Sequence, residues 1–133
     1  MFLHQPLVNT VAGSSDSQNW YGVTEDKQLR EILLKYPQVI LFTGHTHWEM
    51  ESTHTLHYDQ AHPAGPTMLN AASTAYLWND EDEPIMGSQG YYVEVYPDEV
   101  KIKGRDFLCR KWIPTAQFTI PLPSSEQKDI SAS

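Results

Sequence analysis

The stretch VILFTGHTH, Val39 to His47, decides the fold. Val39-Ile40-Leu41-Phe42 is apolar without interruption, and such a short run reads as a strand covered on both faces. Gly44 breaks it, and two imidazoles, His45 and His47, follow at once. Just upstream, Leu29, Ile32, Leu33 and Tyr36 fall at i, i+3, i+4 and i+7, one apolar helical stripe. Thr24 is a candidate N-cap, with Glu25 and Asp26 placed to suit the helix dipole. Lys35 falls in the last turn and Pro37 stops it. The spacing predicts a helix over about 25–35. A helix that leads straight into a covered strand implies an α/β layer. In such layers ligand sites sit past the carboxyl ends of the strands, where His45 and His47 lie.

Working outward, Phe2-Leu3 begins a second apolar segment, followed by His4, Gln5 and Pro6. Residues 9–23, NTVAGSSDSQNWYGV, are rich in Ser, Gly and Asn and read as a long loop. Trp20 and Tyr21 are placed to dock it back on the body. Beyond the histidine pair the pattern turns to β. STHTLHY reads as an edge strand, AHPAGP as a turn, TMLNAAS as a short strand and NDEDEP as a solvated loop. GYYVEVYPDEVKIKGRDF reads as a hairpin turning at Pro97-Asp98, and AQFTIPL as the last strand. A body over 1–121 and a polar tail over 122–133 follow.

Composition narrows the function. The 133 residues suit one domain, with 40% hydrophobic and 20% charged residues. The formal net charge of −8 argues against a broad nucleic-acid footprint. No apolar run approaches the roughly 18 residues a transmembrane helix needs. Met-Phe-Leu-His is no signal peptide, so the expectation is a cytoplasmic protein without a membrane partner. One cysteine, Cys109, excludes an internal disulfide and a multi-cysteine zinc site; it reads as a small, partly buried strand residue. Dinucleotide, P-loop and nucleophile-elbow signatures are all missing.

Six histidines remain: His4, His45, His47, His54, His57 and His62. Neutral imidazole is the commonest metal-ligand type, and two histidines one residue apart can approach one metal or two. The glycine lets the backbone turn there at little steric cost. The strand–histidine–turn pattern occurs twice, at His4 and at His45. If the two segments are neighbouring parallel strands joined by the helix, their ends meet. His54, His57 and His62 read as surface or loop residues.

FLHQPL, then a helix, then VILFTGHTHWEM, together resemble the C-terminal half of a calcineurin-like metallophosphoesterase. Gly44-His45-Thr46-His47 matches the last of that family's five metal-binding blocks. His4-Gln5-Pro6 matches the block before it. The resemblance covers roughly residues 1–121 and implies a strand-rich α/β fold, half of a β-sandwich flanked by helices. It implies that His4 and His45 bind one metal of a dinuclear Fe, Mn or Zn centre and His47 the other. The implied activity is metal-dependent hydrolysis of a phosphomonoester or phosphodiester. Trp48 and Asn70 become candidates for a substrate-facing rim, with Ser73 nearby.

The family's Asp-x-His, Gly-Asp-x-x-Asp and Gly-Asn-His-Asp/Glu blocks do not occur in this sequence. The chain is therefore expected to carry the C-terminal part of a site, with weak or no metal binding and no activity alone. It is also expected to self-associate or to pack against the N-terminal half of such a fold. A second reading is a non-catalytic folded domain with a binding or interaction role. Asp80 to Glu83 lack the glycine and ligand order of a calcium loop and read as solvated.

Overall fold

The computed structural model of the chain describes residues 1–58 and 65–123. His62 and the polar tail from Ser124 lie outside the described residues. Strand β2, Ile40–Thr43, is central in a sheet of four strands ordered β1-β2-β4-β3. It pairs in parallel with β1, Phe2–Leu3, and with β4, Thr67–Asn70; β3, Leu56–Tyr58, adds antiparallel to β4. Register sets Phe2 opposite Phe42 and Thr43 opposite Asn70.

The uninterrupted apolar run is explained by what covers β2. Leu41 and Met68 pack with Leu7, Val11 and Leu33, which come from the long loop and the helix. Phe42 and Leu69, one residue on, point the other way into Val100, Ile102 and Ile120 of a second sheet. That sheet has order β7-β8-β9, from Gln89–Val95, Glu99–Asp106 and Lys111–Pro121. Its β7–β8 hairpin is the one the alternation predicts, with Tyr96 N–H donating to the Glu99 carbonyl at 2.8 Å to close the turn. A small hairpin of β5, Tyr76–Trp78, and β6, Pro84–Met86, brackets the acidic loop. Met50, Ala72, Leu77, Ile113 and Ala116 form its core with the upper part of the second sheet. The architecture is α/β and strand-rich, with a helix and loop on the outer face of the first sheet.

Several local expectations are corrected. Helix α1 runs Asp26–Leu33, shorter than 25–35, and Lys35 lies past it. Its N-cap is Glu25 without a side-chain cap; Thr24 spends its hydroxyl on the Glu25 carboxylate at 2.6 Å. The start is fixed instead through Asp26, which accepts from the Val8 N–H at 2.8 Å and pairs with Arg30 at 2.6 Å. Only half the helical stripe is buried: Leu29 and Leu33 face the core, while Ile32 and Tyr36 stay exposed. Leu7 and the loop's own Val11 and Val23 cover that side of the sheet in place of the outer pair. Strand β9 begins well before AQFTIPL, and Cys109 is exposed in the β8–β9 turn rather than buried in a strand. No described helix is long and apolar enough to cross a membrane.

Candidate functional site: three histidines at two strand ends

His4 follows β1 and His45 follows β2, so parallel pairing brings both to one end of the sheet. The Gly44 N–H donates to the His4 carbonyl at 3.0 Å, continuing the pairing one step past the strands. The His4 and His45 rings stand edge to face with centroids 5.2 Å apart. His4, His45 and His47 all line one groove of about 760 Å³ between the two sheets. Ala71, Ala72, Ser73 and Thr74 form one wall, and Gln89, Gly90, Tyr91 and Val93 of β7 the other.

The turn is not made by the glycine. Gly44 has no left-handed backbone, and a Cβ there would meet only His4 atoms at 3.8 Å, an ordinary contact. The reversal falls on His45 and His47, with φ of 69° and 57°. An L residue other than Gly holds this conformation at a cost, and such positions gather at functional sites. What holds it is the residue between them. Thr46 is fully buried; its N–H donates to the Gly44 carbonyl at 2.8 Å and its hydroxyl to Asn70 Oδ1 at 3.3 Å.

Electrostatics disfavour the cationic form of His45. The His45 pKa lies below its ordinary 6.5, first because burial disfavours the charged form, then because His4 and His47 would repel it. His47 leans on the exposed Tyr76, ring centroids 4.6 Å apart, and its Nδ1 is buried without a hydrogen-bond partner among the described residues. Tyr91, also on the groove, keeps a buried hydroxyl without a partner among the described residues, and burial pushes its pKa far up, so it stays a neutral phenol. Trp20 docks the long loop over the other side, edge-on to His45 at 6.1 Å and to Trp78 at 5.7 Å. Tyr21 does not dock; it is exposed.

The rim expected at Trp48 and Asn70 is corrected. Both are buried. Trp48 Nε1 donates to Asp80 Oδ1 at 2.8 Å, and Asn70 Nδ2 donates to the Trp48 carbonyl at 2.7 Å. They brace the histidine turn from below, because Asn70 also accepts from Thr46 and from the Ala72 N–H at 3.2 Å. Ser73, three residues on, does reach the groove. Tyr76, Trp78 and Tyr91 carry no sequence signal of a site; only the strand pairing brings them near. His54 and His57 stand apart from the groove, His54 giving its carbonyl to the Ala12 N–H at 2.9 Å.

A metal needs more than these rings. The groove lining includes no Asp or Glu among the described residues. Nor do the described residues contain any group of three or more His, Cys, Asp and Glu side chains arranged to hold an ion. Three neutral donors offset little of a dication's dehydration, and without a bridging carboxylate two cations would repel. The donor set of the described residues does not by itself fit a complete dinuclear centre. Comparison with family models, with curated proteins and with solved structures gives no match for this chain.

Proposed function

We propose that this chain contributes the histidine side of a metallophosphoesterase centre. The parent activity is metal-dependent hydrolysis of a phosphomonoester or phosphodiester, with His4, His45 and His47 as metal-facing residues. The reading rests on sequence motifs and on one observation: two separate His-bearing segments converge on one groove, one of whose imidazoles keeps a buried, unpartnered nitrogen. Carboxylate ligands would have to come from polypeptide other than the groove lining, so the chain alone is inactive.

Metal analysis of the purified chain, paired with hydrolysis of an aryl phosphate ester, tests both parts. The expected result is substoichiometric metal and no turnover. A filled dinuclear centre with turnover that His45→Ala abolishes would overturn the half-site assignment.

A further inference from the structure

The sandwich is open on one side. β1 is a free edge of the four-stranded sheet and β7 a free edge of the three-stranded one, and both border the histidine groove. Along β7 the alternate residues Tyr91, Val93 and Val95 share a face. The register partners of the two valines, Ile102 and Val100, lie in the core at 0% and 6% exposure. Yet Val93 is 38% and Val95 73% exposed, although they continue that same core face. Across the groove Phe2 stacks on Phe42 with centroids 5.2 Å apart and is itself 82% exposed. Core-facing side chains are thus left in water beside a seven-residue edge strand that contains no proline. Such edges normally end up paired.

We propose that this edge is an interface between two copies of the chain, β7 pairing antiparallel with β7 of the second copy about a two-fold axis at Val93. A strand that pairs with itself must be self-complementary, and this one is. Val93 opposes Val93, and Tyr91 opposes Val95, so the inner face continues as apolar pairs. Tyr92 opposes Glu94, so no acid faces an acid. On the outer face the known register extends each row as Lys103, Tyr92, then Glu94 and Lys101 of the second copy. Each carboxylate then has Lys101 of its own chain on one side and Tyr92 of the other copy on the other. The only charged residue of β7 is Glu94, so the seam gains one carboxylate per copy, already paired with Lys103 of its own chain. The pairing is independent of whether the histidines hold metal.

Sedimentation equilibrium of the full chain at micromolar concentration tests the interface. The expected species has twice the 15.2 kDa chain mass. Val93→Lys should weaken association by about a hundredfold, since it buries two like charges at the axis. Val93 is part-exposed, so the variant should keep wild-type circular dichroism. Tyr58→Lys, on the other free edge of the first sheet, should leave the dimer intact. In a Cys109→Ser background, Val93→Cys should form a disulfide-linked dimer on mild oxidation, because directly opposed residues in an antiparallel pair lie within disulfide reach. A wild-type monomer, a dimer indifferent to Val93→Lys, or failure of the Val93→Cys pair to crosslink would each overturn the proposal.

Discussion

At His45 the backbone and the side chain make opposing demands. The left-handed φ of 69° suits glycine, while the imidazole is what lines the groove. His45→Gly should therefore be more stable than His45→Ala by about 1 kcal/mol, because alanine retains the steric clash and glycine does not. Paired urea melts of the two variants read this difference directly, and equal midpoints would remove the strain argument. The neighbouring Gly44→Ala should cost under about 1 kcal/mol, since its Cβ meets nothing closer than 3.8 Å. The sequence marks this turn but misassigns its hinge. Gly-His-x-His invites the reading that glycine bends, and no residue type announces that two histidines will adopt positive φ. That depends on Thr46 and Asn70, whose mutual bond crosses from the turn after β2 to the end of β4.

Among the elements, the acidic loop shows how a sound local reading can miss one residue. Asp80 to Glu83 look solvated, and all four are exposed. Asp80, however, accepts from both Trp48 Nε1 at 2.8 Å and Ser52 Oγ at 2.7 Å, tying the β5–β6 hairpin to the segment after the histidines. Asp80→Ala should destabilise by about 1–3 kcal/mol, the usual cost of stranding buried donors. Chemical denaturation checks it, and Glu81→Ala, lacking such partners, serves as the neutral control. Periodicity serves well where one covering surface repeats: the β2 run and the β7–β8 alternation are both legible from it. It fails for the helix stripe, where a loop covers the sheet in place of Ile32 and Tyr36. It fails again for β5 and β6, three residues each, too short to show a period.

For the whole molecule, the excess negative charge is unevenly placed. Glu49 is partly buried near Glu51, Asp80 and Glu81, and its pKa is raised, first by burial and then by those carboxylates. Between the ordinary value of 4.5 and the raised one, the folded protein keeps a proton that the unfolded chain releases. Stability therefore falls as pH rises through that window, and the penalty persists above it. Glu49→Gln should raise the melting temperature at neutral pH, by less than about 1 kcal/mol equivalent given its exposure. Below the glutamate range the two proteins should melt together. Thermal melts across acid and neutral pH test this, and a constant offset would assign the effect to packing instead. The α/β layering is legible at this scale because helix and strand periods differ. The open side is anticipated only through the absent family blocks; which side chains it exposes, Phe2, Val93 and Val95, is not legible, because that depends on what neither strand's sequence contains.

The two-residue β1 sets a limit on how firmly the histidine cluster is held together. His4 is tied to His45 through Phe42 N–H to the Met1 carbonyl and Gly44 N–H to the His4 carbonyl, both 3.0 Å, beside an uncovered Phe2. So short a strand, with one exposed face, should open at lower free energy than the rest of the sheet. The groove would then exist in two forms, one with His4 facing His45 and one without it. Amide exchange at Phe42 and Gly44 should accordingly be fast compared with Leu41 and Leu69. Any ligand that needs both imidazoles must offset the closing of that edge, so its apparent affinity falls by the fraction of molecules in which β1 is docked.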